Sequence, residues 1–169
     1  MAEFGKDTQM IEKLAKAAHE LFCEHLVADG YIYGPVTSET AKTHSSLVPF
    51  DALPDDEKEQ NRNSVREIPA KLACIGYDLK PGSDGQKPIR FTKDEEEKLA
   101  EKEHDRWITQ KQENGWSYGN TIDKSKKIHK NMVPWNRLTE KDKEKDRIMI
   151  RAIPKIVNKA GFIIEKQLC

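Results

Sequence analysis

Cysteine is scarce, long apolar runs are missing and the formal charge cancels. Cys23, Cys74 and Cys169 are three cysteines in 169 residues, an odd number with no CxxC pair. Neither a disulfide scaffold nor a cysteine-based zinc site is spelled out. Cys23 and Cys74 lie in apolar stretches and read as small buried hydrophobes, which fits a reducing, cytoplasmic compartment. No stretch approaches the roughly 18 apolar residues of a membrane span, so no membrane insertion is expected. Positions 1–9 have no cationic start leading into an apolar segment, so no secretory leader is read. No two His or Cys have ligand spacing with a supporting carboxylate, and there is no P-loop and no GxSxG elbow. The sequence gives no basis for a reaction, a metal or a cofactor, and a non-enzyme is expected.

Lys and Arg number 29, as do Asp and Glu. A chain that neutralises phosphate backbones is usually basic overall, so DNA and RNA are not expected partners. The balance hides a polarity. Residues 1–80 carry 9 basic and 14 acidic residues, and residues 81–169 carry 20 and 15. Either two halves of opposite sign attract each other weakly, or an anion site draws on the second half. Hydrophobic residues are 36%, and three Trp, four Tyr and five Phe are enough aromatics to argue against general disorder.

What is there is a repeat. Displaced by 85 positions, the sequence matches itself without a gap. Glu12-Lys13-Leu14-Ala15 meets Glu97-Lys98-Leu99-Ala100, and His19 meets His104. Gly30 meets Gly115, Tyr33-Gly34 meets Tyr118-Gly119, and Val48-Pro49-Phe50 meets Val133-Pro134-Trp135. Arg62 and Arg66 meet Arg147 and Arg151, and Ile68-Pro69 meets Ile153-Pro154. The chain is thus read as two related units, 1–80 and 94–169, joined by a Pro- and Gly-punctuated linker over 81–93.

Each unit reads as two helical stretches around an irregular middle. Ile11, Leu14, Ala15, Ala18, Leu21, Phe22 and Leu26 recur near i, i+3, i+4, i+7 and predict one apolar stripe. Asp7 or Thr8 can cap that helix, and Gly30 ends it in the left-handed position that glycine takes cheaply. The twin helix begins near Thr92-Lys93-Asp94-Glu95 and stops before Gly115. Short extended pieces are expected at Tyr31–Tyr33 and near Val48. Thr139 with Asp142 resembles a capping box for the second helix. Pro69 and Pro154 should kink or split the second helices, because an interior proline costs about 3 kcal/mol. The apolar tails after Gly76 and Gly161 can each add a strand.

Read along both units, the pattern runs H-[ED]-x-[FW], G-[YW]-x-Y-G, K-x-H, V-P-[FW]-x-x-L, R-x-x-x-R-x-I-P and G-[YF]. It stands here as His19-Glu20-Leu21-Phe22, Gly30-Tyr31-Ile32-Tyr33-Gly34 and their counterparts. This combination resembles the ryanodine receptor repeat, the RyR domain, over nearly the whole chain, twice, as a free-standing or excised pair. The resemblance implies a mostly α fold with short β elements, arranged as a tandem pseudo-twofold pair, and no catalysis. It also implies adenine-nucleotide binding between repeats, as in the channel pairs, and sensing of nucleotide-like ligands, as in prokaryotic relatives.

Three sets of residues carry chemistry. Tyr31, Tyr33, Trp116 and Tyr118 follow the helix-ending glycines, and two opposed rings can sandwich a planar base for roughly 1–3 kcal/mol. The alternative is that these rings fill a core. Phe22, Trp107, Phe50 and Trp135 are expected in the core. Arg62 with Arg66 and Arg147 with Arg151 are spaced i, i+4, so each pair shares a helix face and suits phosphate oxygens. Alternatively they pair with Glu20 or Asp105 and clamp the second helix to the first. Lys42 with His44 and Lys127 with His129 sit in the irregular middles, either meeting an anion or simply solvated. His19 and His104 read as satisfied buried histidines. The leading expectation is a non-catalytic ligand-binding or sensing module that takes a small anionic, nucleotide-like molecule between the repeats and signals to a partner or fused domain. The alternative is a protein-interaction scaffold with no small ligand.

Overall fold

The computed structural model describes residues 8–82 and 87–167. Its elements come in two matched runs. The first comprises helix α1 (Thr8–Ala28), strands β1 (Ile32–Tyr33) and β2 (Thr43–His44), a 3-10 turn at Phe50–Ala52, helices α2 (Asp55–Arg66) and α3 (Ile68–Cys74), and strand β3 (Tyr77–Pro81). The second comprises α4 (Lys93–Glu113), β4 (Ser117–Tyr118), β5 (Ile128–His129), a 3-10 turn at Trp135–Arg137, α5 (Glu140–Lys159) and β6 (Phe162–Lys166). Each outer boundary recurs at the 85-residue displacement seen in the sequence, so the fold is mostly helical and duplicated. Asp7, Cys169 and positions 83–86 of the linker lie outside the described residues.

Local rules account for the helix ends. Thr92 and Glu95 form a reciprocal capping box at the start of α4, with Glu95 N–H donating to Thr92 Oγ1 at 3.2 Å and Thr92 N–H to Glu95 Oε1 at 2.9 Å. At the start of α5 the N–H of Asp142 donates to Thr139 Oγ1 at 3.1 Å. Gly30 and Gly115 terminate the first helices at φ of +88° and +85°, a conformation that would strain any residue with a Cβ. The two prolines act differently. Pro69 begins a new helix, because Glu67 breaks the run and a missing N–H at the first turn costs nothing. Pro154 lies inside α5, which continues past it.

The paired strands are short. β1 and β2 run parallel, as do β4 and β5. The second extended piece is thus at Thr43–His44 and not near Val48. Val48 has its N–H bonded to Ser46 O at 2.9 Å and its carbonyl taken by His19, so it has no group left for a ladder. The apolar tails do form strands: β3 and β6 pair antiparallel, with Leu79 opposite Ile164. Those two residues are equivalents, so the register itself has a twofold at that pair.

Two compact units are distinguished. One gathers the described residues up to Pro88 together with those from Pro154 onward, and the other is Ile89–Ile153. The first buries Met10, Leu14, Phe50, Val65, Ile68, Leu72, Leu79, Val157 and Ile164. The second buries Leu99, Ala100, Trp135, Leu138, Ile150 and Ile153. A fully buried leucine contributes about 2 kcal/mol of transfer free energy, so Leu14, Leu72 and Leu99 anchor their surroundings. Of the expected core aromatics, Phe50 and Trp135 are buried, whereas Trp107 is half-buried and Phe22 is exposed. The cysteine expectation also changes: Cys23 is half-buried and Cys74 exposed. Among the described residues no helix is long and apolar enough to cross a membrane.

Candidate functional site

The arginines are occupied. Arg62 donates from Nε to Glu12 Oε2 at 2.7 Å and from Nη2 to Glu12 Oε1 at 3.1 Å, and reaches Glu59 as well. Arg147 repeats the fork on Glu97 at 2.8 and 3.0 Å, with a further bond to Glu140. Arg66 pairs with Glu59 and Asn63, and Arg151 with Glu96 and Glu144. Helix-to-helix clamping by Arg62 and Arg147 is therefore real, but the partners are Glu12 and Glu97, not Glu20 or Asp105. Eight residues separate Glu12 from Glu20, about 12 Å of helix, and Glu20 instead meets Lys159 Nζ at 3.7 Å. A phosphate would have to displace a carboxylate to use any of these four guanidinium groups. The Arg62 and Arg147 hydrogen bonds hold the Glu12 and Glu97 carboxyls below the usual range.

The lysine and histidine pairs are likewise bonded within the fold. Lys42 and Lys127 sit at positive φ, 53° and 54°. That backbone turns each ammonium back onto the end of the preceding helix, where Nζ donates to Asp29 O at 2.7 Å and to Asn114 O at 2.9 Å. Each lysine caps orphan helix carbonyls with a charge of the favourable sign. His44 Nδ1 accepts from Ser46 N–H and His129 Nδ1 from Asn131 N–H, both at 3.1 Å. Burial, then Lys111 and Lys130, push the His129 pKa down. A neutral ring with one nitrogen committed is a poor anion receptor. His19 and His104 are buried as expected, their Nε2 atoms donating to Val48 O at 2.7 Å and Val133 O at 2.6 Å. They tie the first helix of each repeat to the Val-Pro loop.

The four aromatic candidates divide. Tyr33 and Tyr118 are exposed on their two-residue strands, and Tyr31 is half-buried. Trp116 is half-buried beneath Lys111, whose Nζ lies 3.9 Å from the ring centroid and 5.8 Å from that of Trp107. His129 lies 6.4 Å from Trp116 and 4.8 Å, edge-on, from Trp107. One face of Trp116 is thus already covered by a cation. The equivalent of Lys111 in the first repeat is Leu26.

A different set of residues forms an open cavity of about 580 Å³ within the second unit. Tyr118, Met132, Val133, Pro134 and Leu138 give its apolar wall, and Lys130, Asn131, Arg137, Thr139 and Asp142 its polar one. Lys130 and Arg137 are exposed and have no side-chain partner among the described residues. Asp142 accepts from Thr139 Oγ1 at 3.0 Å and from Lys145 Nζ at 3.2 Å. Burial opposes its charge, but bonds from Thr139, Lys145 and Asn131 outweigh burial and lower its pKa. Asp142 is therefore ionised and already neutralised, and the two free cations set the sign of the cavity. In the first repeat Ser45 and Ala52 stand where Lys130 and Arg137 do. Sequence reasoning passed over Arg137; the signal lay in this mismatch between otherwise matching repeats.

The first unit has its own cavity, about 460 Å³, lined by Lys16, His19, Glu20, Cys23, Glu24 and the Leu47–Asp51 loop. Cys23 Sγ is 3.4 Å from His19 Nε2. That nitrogen is committed to Val48 O, and burial with Glu20 and Glu24 raises the thiol pKa. The pair therefore lacks the thiolate of an activated nucleophile. Among the described residues no three His, Cys, Asp or Glu converge on a metal position. A family model described as the RyR domain matches residues 5–81 and again residues 90–166.

Proposed function

The chain belongs to the RyR domain family as a tandem pair, and on that footing we propose that it is a non-catalytic module binding a small anionic, nucleotide-like molecule. The observation that carries this reading is the coincidence of one exposed ring, Tyr118, with two cations, Lys130 and Arg137, that have no side-chain partner among the described residues, on a single cavity. Stacking on a tyrosine is sequence-tolerant and suits a planar base, while a guanidinium and an ammonium suit phosphate oxygens. The cavity size suits a mononucleotide, within the usual range for small-molecule sites. The ligand is thereby assigned to the second repeat. The arginines at 62, 66, 147 and 151 and the lysines at 42 and 127 are assigned to the fold.

Calorimetry and thermal shift with ATP, ADP, AMP, cyclic mononucleotides and cyclic dinucleotides test this. Removing one charged hydrogen bond costs about 1.5 kcal/mol or more, roughly tenfold in affinity. Lys130→Ala and Arg137→Ala should each weaken binding by about that factor, and Tyr118→Ala by a similar one. Absence of binding at millimolar ligand, or binding indifferent to all three substitutions, refutes the reading.

A further inference from the structure

The charges that line the Tyr118 cavity have two origins. Asp142 belongs to the fold. It accepts from Thr139 Oγ1 and is paired with Lys145. Its counterpart in the first repeat, Glu57, likewise accepts from a hydroxyl, Ser46 Oγ. A hydroxyl-bound carboxylate therefore stands at this position in both repeats. Lys130 and Arg137 have no such duty. They are exposed, lack a side-chain partner among the described residues, and stand where the first repeat has Ser45 and Ala52. With Asp142 offset by Lys145, the wall presents two positive charges.

That sum discriminates among phosphate chemistries. A terminal phosphomonoester is close to a dianion at neutral pH and offers three strong acceptor oxygens. The planar fork of Arg137 suits two of them and the ammonium of Lys130 a third. A phosphodiester, as in a cyclic nucleotide, has a single charge and one fewer free oxygen, so one cation gains little from it. A longer phosphate chain adds negative charge for which this cavity has no further cation, and Asp142, already ionised, repels the excess. The side chains of Thr139 and Asn131 are directed to Asp142 and do not add to the anion-binding set.

Resting on the nucleotide reading above, we propose that the ligand is a nucleoside monophosphate with a terminal phosphomonoester, its dianion shared by Lys130 and Arg137 and its base stacked on Tyr118. Cyclic phosphodiesters and longer phosphate chains are selected against. The carboxylate common to both repeats sets the upper limit on charge, and the two cations confined to the second repeat set the lower one.

Calorimetric titration of the full chain tests this, at low salt, without magnesium and at a pH of about 7.5, above the second phosphate pKa near 6. The probes are AMP, the methyl ester of its phosphate, cyclic AMP, ATP and ribose 5-phosphate. The methyl ester keeps the base, the sugar and the phosphorus but loses one charge. It and cyclic AMP should each bind about tenfold more weakly than AMP, the loss of one charged hydrogen bond. ATP should bind no more tightly than AMP, and ribose 5-phosphate, which has no base to stack, about tenfold more weakly. Lys130→Ala and Arg137→Ala should each shrink the preference of AMP over its methyl ester several-fold, a ratio that a merely structural role would leave unchanged. Both positions are exposed, and circular dichroism checks that the variants fold. If none of the nucleotides binds, the nucleotide reading fails and the monophosphate assignment with it. If nucleotides bind but the methyl ester or cyclic AMP equals AMP, or ATP exceeds AMP tenfold, the monophosphate assignment alone is overturned. It is overturned too if ribose 5-phosphate equals AMP, or if the preference for AMP over its ester survives both substitutions.

Discussion

The Glu97–Arg147 clamp offers a perturbation with an internal control. Glu97 accepts two bonds from Arg147 and a third, at 3.2 Å, from the indole N–H of buried Trp135. Among the described residues its counterpart Glu12 accepts only the Arg62 fork, because Phe50 stands where Trp135 does and has no donor. A bidentate pair that is half in solvent contributes about 1 kcal/mol, and a charged hydrogen bond to a buried indole about 1–1.5 kcal/mol. Glu97→Ala should therefore cost about 2 kcal/mol and leave the indole N–H unsatisfied. Glu12→Ala should cost distinctly less. In a Trp135→Phe background, Glu97→Ala should fall back by about 1 kcal/mol, the coupling energy of the third bond. Urea denaturation at pH 7, followed by circular dichroism for all four members of the cycle, measures it. The sign with pH is fixed. Both glutamates have depressed folded pKa values, so their contribution is complete above the ordinary value near 4.5 and is lost as pH falls through the folded one. A coupling energy indistinguishable from zero, or a Glu12→Ala cost equal to that of Glu97→Ala, refutes the assignment of Glu97 as a three-bond acceptor.

Three further outcomes follow from the geometry. His129 should titrate below the ordinary histidine value in an NMR pH series, because of burial and the neighbouring Lys111 and Lys130, and Lys111→Met should move it upward. With its folded pKa depressed, this histidine makes the fold less stable as pH falls from neutrality through the ordinary value. Lys127→Met should lower thermal stability by about 0.5–1 kcal/mol through loss of the carboxyl-end cap and leave ligand affinity unchanged. Gly34→Ala should destabilise by about 1–3 kcal/mol, since a Cβ there would sit 2.7 Å from Thr43 Cβ. Gly119→Ala should cost less in the same melts, since there the nearest atoms, Ile128 Cδ1 at 3.0 Å and Cβ at 3.1 Å, leave a few tenths of an ångström more room.

Sequence patterns revealed those features whose causes are local. A threonine three residues before a glutamate, a glycine after an apolar stripe and a proline in a helical run each constrain a few neighbouring backbone groups. Thr92, Gly30 and Pro69 accordingly do what their positions predict. The duplication was legible for a different reason: an ungapped displacement is a statistical fact that needs no structure. The i, i+4 arginine spacing puts Arg62 on the right helix and in the right kind of contact, but the partner is Glu12 and not Glu20. Choosing between Glu12 and Glu20 requires the sliding register of two helices 50 residues apart, which no local pattern contains. Lys42 reads from the sequence as an anion candidate because its reach back to Asp29 O depends on one left-handed residue in a loop. A lysine gives no sequence sign of that conformation. Trp116 reads from the sequence as an open platform because the ammonium over it comes from Lys111, where the two repeats show only a leucine-to-lysine difference.

The residues that the fold engages have a common form, which suggests how a duplicated chain divides its labour. The ligand candidates that are hydrogen-bonded within the fold are residues identical in both repeats. Identity across the repeats means that the same side chain meets the same neighbours twice, and each such pair meets groups its own repeat supplies: Arg62 and Arg147 a glutamate, Lys42 and Lys127 a helix end, His19 and His104 a loop carbonyl. A residue with that duty is held by the fold and has little capacity left for a ligand. Exposed positions where the repeats disagree carry no shared duty. Lys130 against Ser45, Arg137 against Ala52 and Val36 against Thr121 leave α1, α4 and the Val-Pro loops unaltered. They change only the charge or polarity shown to solvent. Trp135 against Phe50 marks the limit of the rule, since there a buried difference adds one bond to a shared clamp. In this chain the two cations of the proposed site are exposed differences between the repeats, set beside a ring, Tyr118, that both repeats share, and a substitution that restores equivalence, Arg137→Ala or Lys130→Ser, should weaken binding about tenfold while sparing the fold.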